Sequence, residues 1–586
     1  YVYLNGVKAG YHLGGMTVYE IDVTKHLKPG VNELALAVRS ESLADMLGSL
    51  TQYAAHQLGG ITRKVTLMAV PQTHVSDVRI VTDLDSEYRN AALKIETAVV
   101  NKATYAQNGL TLRLSVNGLP NVIEQRLPKL AVGEVWKGIL SDTVTAPLLW
   151  NNEQPHLYTL RMELCLNDEV IETVEKRFGF REIEVRGNEL FVNGRAVKLR
   201  GVCRHEMHPL TGRVVDAMWQ RKDIELYRAA NCNFVRTSHY PPCEEMLDIC
   251  DELGMIVFDE AFDVWNLPKN SFDFSHQFAE DGIKEIEAMV RRDRNHPSIF
   301  FWSIGNELTE QGGMAAGYEV SAMLAKTVRN MDSTRLVSGA LCSFFKGLDN
   351  EDNAAFWQTF RKEMPQGGSV INMDNSYGKK IWMEYTAPFV KDWDVVGYNY
   401  LNYHYETSHE LFPDRVILCT ESKPGQFEDY WSDVERLPYV IGDFLWTSMD
   451  YIGEAGIGKS IYYSEEEVPQ MSRMLNYAAY PWRLAQAGDF DLCGNVRAQG
   501  RYHQIIWGAN DTYIFAKDPK NNGKIALIGR YGWAEGGNHW SWNCENGTAV
   551  SVDVYSRAEE VELLLNGKSL GKKPAGAECH FKAEFE

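Results

Sequence analysis

The sequence has no run of about 18 apolar residues, the length that marks a membrane-spanning helix, and no membrane span is expected. It also lacks basic excess. The net charge is −20, which repels nucleic acid and anionic membrane surfaces, so neither is expected as a partner. No Cys-x-x-Cys pair occurs. The ten cysteines are scattered, and Cys203, Cys250 and Cys419 fall inside apolar runs, so they read as reduced core residues rather than a disulfide framework or zinc site. No glycine-rich phosphate loop follows an early strand, which counts against an open nucleotide-binding sheet. Internal repeats, low-complexity tracts and a signal peptide are missing too. The chain starts in what reads as the middle of a hairpin, Tyr1-Val2-Tyr3-Leu4-Asn5-Gly6, and stops abruptly at Glu586. Both ends read as incomplete, and a periplasmic, secreted or cytoplasmic location stays open.

What is present is ordinary globular composition, 45% hydrophobic and 24% charged, in 586 residues with room for three to five domains. Residues 1–72 read as strands punctuated by turns at Asn5-Gly6, Gly14-Gly15, Pro29-Gly30 and Gly59-Gly60. Residues 73–181 continue in strands, with strict alternation in Leu110–Val116 and a turn at Asn117-Gly118, and read as a separate sandwich. From about 182 to 508, apolar strands alternate with amphipathic helices. Eight strand candidates stand out: Val197–Cys203, Phe234–Ser238, Met255–Phe258, Ile299–Ile304, Leu336–Leu341, Val395–Tyr400, Val416–Thr420 and Val440–Thr447. They fit a (β/α)8 barrel with some long loops. Residues 509–586 return to strands and read as a further, incomplete β domain. Trp533, Trp540 and Trp542 precede its best strands and suit either core packing or a sugar-stacking surface.

In a parallel barrel the groups at the strand ends form the active site. Here those positions carry Arg204-His205-Glu206-Met207-His208, Arg236, His239, Asp259-Glu260, Asn306-Glu307, Asn399-Tyr400, Glu421, Trp446 and Asp450. A carboxylate placed just past a buried apolar strand, as Glu307 is after Ile299–Ile304, is costly unless it has work or partners. Two carboxylates facing each other across a barrel mouth suit glycoside hydrolysis: one protonates the leaving group and the other attacks. Glu206, Asp259, Glu260, Asp450 and Glu454 read as supporting acids. His205, His208 and His239 lack the i, i+4 helical spacing of a metalloprotease pair.

Three long stretches carry a resemblance: Arg200-Gly-Val-Cys-Arg-His-Glu-Met-His-Pro209, Asn233-Phe-Val-Arg-Thr-Ser-His-Tyr-Pro241, and Arg292-Asp-Arg-Asn-His-Pro297 with Ser303-Ile-Gly-Asn-Glu307. They resemble the signatures of glycoside hydrolase family 2, which contains β-galactosidases, β-glucuronidases and β-mannosidases. The resemblance spans nearly the whole chain. It implies the second half of a jelly roll in 1–72, an immunoglobulin-like sandwich in 73–181, a catalytic barrel in 182–508 and an incomplete immunoglobulin-like domain in 509–586. Position by position, it implies Glu307 as general acid/base and Glu421 as nucleophile. Asn306 would bind the sugar 2-hydroxyl, Tyr400 would stand beside the nucleophile and Arg236 would orient it. His208, His239 and Trp446 would touch sugar.

The implied activity is that of a retaining exo-β-glycosidase acting on β-linked oligosaccharides or glycosides, with β-galactosides first. β-Glucuronides or β-galacturonides are the alternative, through Arg497 in Gly494-Asn495-Val496-Arg497, which otherwise reads as an interdomain arginine. A non-catalytic sugar-binding protein on the same fold is the reading of another class. The family's long-chain β-galactosidases hold magnesium through a Glu and a His shortly after strand three; Val264 and Asn266 stand there, so neither an active-site metal nor a cofactor is expected. A homo-oligomer is left open.

Overall fold

A computed structural model of the chain describes residues 1–14, 16–39, 60–269, 273–342, 376–466 and 482–586. Gly15 and Gly59, each half of an expected turn, lie outside them. At the N terminus Val2–Leu4 and Val7–Gly10 form a hairpin, with Leu34–Leu36 on its other edge. Asn5 and Gly6 both take positive φ, 54° and 79°, as a tight two-residue hairpin turn demands.

Residues 73–178 form two antiparallel sheets. One pairs Thr73–Leu84, Asn90–Asn101 and Val135–Thr145; the other orders Glu169–Phe178, Tyr158–Leu166, Leu110–Val116 and Val122–Arg126. Along Leu110–Val116 every second side chain is buried, and Leu110, Leu112 and Leu114 pack with Leu93, Ile95 and Leu160 between the sheets. The Asn295-His296-Pro297 stretch, which precedes the fourth barrel strand, holds this sandwich to the barrel. The Asn295 amide donates to Val78 O at 2.9 Å and accepts from Ile80 N at 2.9 Å.

The eight expected strands all form, as β1 (Leu199–Arg204), β2 (Phe234–Thr237), β3 (Ile256–Glu260), β4 (Ile299–Asn306), β5 (Leu336–Leu341), β6 (Val396–Asn399), β7 (Ile417–Ser422) and β8 (Val440–Leu445). They close in sequence order, all parallel, with β1 also paired to β8. Strands buried on both faces read as near-continuous apolar runs, which is why these were legible. Phe234, Phe258, Phe301 and Phe444 fill the lower interior, with ring centres 4.4 to 5.7 Å apart between neighbours. Gly201 admits this layer: a Cβ there would stand 2.3 Å from the Phe444 ring. The helix Glu244–Leu253 ends at Gly254, whose φ of 71° serves as a left-handed cap.

After β8, Ser460–Tyr463 leaves the barrel and pairs with Ile525–Ile528. Thr512–Ala516, Ala549–Ser556 and Glu578–Glu584 make the C-terminal sheet. Trp540 and Trp542 pack half-buried against its core, and Trp533 donates to Tyr555 Oη at 3.1 Å. Among the described residues no helix is long and apolar enough to cross a membrane.

Candidate active site

Above the phenylalanine layer the barrel interior turns polar, and Arg236 on β2 is its centre. Its side chain is 0% exposed. The guanidinium donates to both oxygens of Glu260 at 2.9 to 3.2 Å, to Glu421 Oε1 at 2.8 Å, to Thr420 O at 2.9 Å and to Asn306 Oδ1 at 2.8 Å. One fixed cation is therefore shared by two buried carboxylates on β3 and β7. Ser303 and His239 complete the shell of Glu260, at 2.7 and 2.6 Å.

Glu421 accepts three charge-favouring hydrogen bonds: from Arg236, from Asn399 Nδ2 at 2.8 Å, and a very short one from the Tyr400 hydroxyl. Burial pushes its pKa up to about 8, and nearby Glu307 adds to the rise, while Arg236 and Tyr400 pull the other way. Burial and Glu421 keep the Tyr400 phenol well above its ordinary pKa, so it remains a donor.

Asn399 joins the two glutamates. The same Nδ2 donates to Glu307 Oε1 at 3.0 Å and to Glu421 Oε1 at 2.8 Å, so those two oxygens lie no farther apart than these bonds laid end to end. Glu307 and Tyr400 have φ of 44° and 59°, left-handed values that L residues seldom adopt. Such strain clusters where function fixes a side chain's direction.

His239 and Trp446 stack with ring centres 5.4 Å apart and planes 8° from parallel. His205 stands edge-on to Trp446 and 4.4 Å from the Tyr451 ring, completing an aromatic wall. Burial holds His239 well below the usual histidine pKa, so the ring is neutral. Its Nδ1 then carries the proton toward Glu260, leaving Nε2 to face the Asn306 amide at 3.3 Å. A further acid, Glu454, accepts from the Tyr451 hydroxyl, and burial pushes it up to about 7.

The structure thus brings Glu307, Glu421, Asn306, Tyr400, Arg236, His239 and Trp446 to one barrel mouth. It does not bring His208 there: that ring packs on Trp219, and its Nδ1 accepts from Leu210 N and Thr211 N. His205, three residues earlier, takes the place beside Trp446, because the chain turns away after β1. Arg497 is also committed elsewhere, to buried Asp450 at 2.7 Å. Asn399 was visible as a strand-end residue, but its bridging role depends on the β6–β7 register.

Among the described residues, the positions expected to hold magnesium in the family's long-chain β-galactosidases carry Val264 and Asn266. Val264 is buried and offers no donor atom. Lys269, from the same loop, places its ammonium 2.7 Å from Asp263 Oδ1 and 2.9 Å from Asn306 O. Burial opposes this charge, but Asp263 and Glu307 raise its pKa, so a cation already stands at this corner. The residues do not fit a second one.

The family model described as "Glycosyl hydrolases family 2, TIM barrel domain" matches residues 183–350, and "Glycosyl hydrolases family 2" matches 73–181. The chain belongs to glycoside hydrolase family 2. A third model, for a domain of unknown function, matches 547–586. Among relatives, "Beta-galactosidase BoGH2A" of Bacteroides ovatus is 26% identical over 98% of this chain and 66% of its own length. A "Putative beta-glucuronidase" of Formosa agariphila is 28% identical over 98% of this chain and 66% of its own. A solved family 2 structure from Bacteroides cellulosilyticus superposes with a TM-score of 0.81 at 28% identity, covering 100% of this chain and 70% of that one. The chain therefore spans just under two-thirds of the length of those two curated relatives.

Proposed function

We propose that this family 2 chain is a retaining exo-β-glycosidase, with Glu421 as nucleophile and Glu307 as acid/base. The observation that carries the reading is the single Asn399 nitrogen bonded to both carboxylates. Retaining enzymes hold their carboxyls about 5–5.5 Å apart, whereas inverting ones need about 6.5–9.5 Å to admit a water. The shared amide nitrogen holds one oxygen of each carboxylate close to the other, which supports the narrower spacing.

The mechanism takes its proton from Glu307 and its negative charge from Glu421, whose charged form is favoured by the donors Arg236, Asn399 and Tyr400. Glu307 passes its proton to the glycosidic oxygen as the anomeric carbon–oxygen bond breaks. Glu421 bonds to the anomeric carbon from the opposite face. Glu307, now a carboxylate, takes a proton from water, whose oxygen displaces Glu421 with a second inversion. Asn306, fixed by Arg236 and Asp263, is placed to meet the 2-hydroxyl, and Trp446 with His239 offers a flat apolar wall for the ring.

β-Galactosides are the first substrate class, supported by the motifs around His239 and Trp446 and by the galactosidase among the relatives. The uronide reading through Arg497 loses support, because Asp450 already neutralises that guanidinium. Turnover of nitrophenyl β-glycosides, with the product anomer followed by NMR at early time, tests the proposal. Release of the β-anomer is expected, and release of the α-anomer ends the mechanism. Sugar binding without turnover would favour the non-catalytic reading.

A further inference from the structure

Several cations surround the barrel mouth, and most are neutralised on the spot. Arg236 is bonded to Glu260 and Glu421, Lys269 to Asp263, and Arg497 to Asp450. Lys423 and Arg530 are different. Among the described residues neither has a carboxylate within ion-pair distance, and the one hydrogen bond of the Lys423 ammonium goes to the neutral Gln426 amide at 3.3 Å.

Both nevertheless converge on the tyrosine that touches the nucleophile. Lys423 Nζ lies 5.8 Å from the Tyr400 ring centre and Arg530 Cζ lies 5.4 Å from it. The two approach from unrelated parts of the chain. Lys423 follows Glu421 and Ser422 at the end of β7. Arg530 comes from the turn after Ile525–Ile528, beyond the barrel.

That turn is held in place. Gly529 N donates to Lys459 O at 2.7 Å, and Gly532 N closes the turn on Gly529 O at 2.9 Å. A Cβ on Gly529 would meet Ile457 O at 2.2 Å, and one on Gly532 would meet Gly458 O at 2.7 Å. Only a glycine at each end lets the turn press this closely on 457–459. Between the glycines, Tyr531 packs edge-on to Tyr400, with ring centres 5.5 Å apart, and Arg530 stays exposed to solvent.

Two like charges brought together without a counter-ion repel each other, and attraction to a tyrosine face offsets only part of that. Burial chiefly, and Arg530 in addition, push the Lys423 ammonium down to about 8. Arg530 keeps its charge: partial desolvation where it lies against the two tyrosines works against it, but Tyr531, Tyr400 and Glu307 raise its pKa. An anion seated between the two would remove the conflict. A guanidinium that is open to solvent beside an ammonium suits two-oxygen recognition of a carboxylate or sulfate.

We propose that Lys423 and Arg530 form a subsite for an anionic substituent, a carboxylate or a sulfate ester, on the glycoside bound over Glu307 and Glu421. The proposal rests on the glycosidase reading and narrows its substrates to acidic glycosides, with the charge read by these two side chains rather than by Arg497. Uronides and sulfated sugars share the required chemistry.

The test has two readouts. In the first, the full chain is titrated by calorimetry with galacturonate, glucuronate, galactose 6-sulfate and neutral galactose. At least one acidic sugar should bind at least tenfold more tightly than galactose, and that advantage should shrink as salt is raised. Arg530→Gln and Lys423→Gln should each weaken acidic-sugar binding at least tenfold relative to galactose. In the second, the ratio of kcat/KM for the matching acidic and neutral nitrophenyl glycosides should fall by a similar factor in both variants, mainly through KM. A response confined to the uronates or to the sulfate names the anion. Equal binding of acidic and neutral sugars by the parent, or an unmoved ratio in both variants, overturns the subsite even if neutral glycosides are hydrolysed. Salt-sensitive binding lost in the variants, with no glycoside turned over, upholds the subsite while the glycosidase reading fails.

Discussion

Removing the Tyr400 hydroxyl should move the pH dependence of the enzyme in a calculable way. In Tyr400→Phe the ring keeps its packing against Tyr531, and the hydrogen bond to Glu421 is lost. That bond favours the charged form of Glu421. A hydrogen bond to a charged group contributes about 1.5–3 kcal/mol. One pKa unit corresponds to about 1.4 kcal/mol, so losing the bond should raise the Glu421 pKa by about one to two units. The parent value is already pushed up to about 8 by burial. Double displacement needs Glu421 ionised, so the acid limb of kcat/KM should stand well above the ordinary carboxylate range in the parent. In the variant it should shift to higher pH. At neutral pH the ionised fraction, and with it kcat/KM, should fall by about 10- to 100-fold, with the deficit narrowing as pH rises. The assay is kcat/KM for an activated nitrophenyl glycoside from pH 5 to 10. A limb that stays in place or moves down would refute the assignment of Tyr400 as the donor holding Glu421 charged.

Three further outcomes are expected. Glu307→Ala should keep glycosylation of Glu421 by substrates with good leaving groups, which need no proton, and added azide should give a β-glycosyl azide detectable by mass spectrometry and NMR. Chelation should leave the active site working, because Lys269 already supplies a cation beside Asn306; a large loss restored by magnesium would contradict this. Asp443, buried on β8 beside Ser422, has its pKa pushed up to about 7 by burial. Its folded pKa exceeds its unfolded one, so its stabilising effect is complete at low pH and is lost as pH rises through about 7. Asp443→Asn should therefore gain on the parent in melting temperature between pH 5.5 and 8.5, and an unchanged difference would count against that burial.

The barrel was legible because parallel strands buried on both faces cannot hide their apolar runs. Its edges were less so. β4 runs on from the expected Ile304 to Asn306, and β3 runs on to Glu260, because polar residues at these ends still have ladder partners: Asp259 and Glu260 pair with Trp302 and Ser303. The strand-end residues gathered at the mouth followed from topology alone. What local pattern could not supply was the geometry between distant segments. His205 and His208 share one motif, and only the path of the chain after Arg204 decides which faces Trp446. Arg530 and Tyr531 reach Tyr400 from beyond the barrel through a glycine-bounded turn, with no periodic signal to mark them. Lys269 announced nothing until Asp263 and Asn306 closed around it.

The central claim, that Glu421 attacks the anomeric carbon, is open to one direct measurement. The full chain would be incubated with a 2-deoxy-2-fluoro β-glycoside carrying a dinitrophenyl leaving group, using the glycone that the substrate panel identifies. Fluorine slows release of the intermediate more than its formation, so a covalent adduct should accumulate and be located by peptide mass spectrometry. The account predicts one fluorosugar bound to the peptide containing Glu421, and none in Glu421→Gln. An adduct on another residue, or turnover to the inverted anomer with no adduct at all, would contradict it.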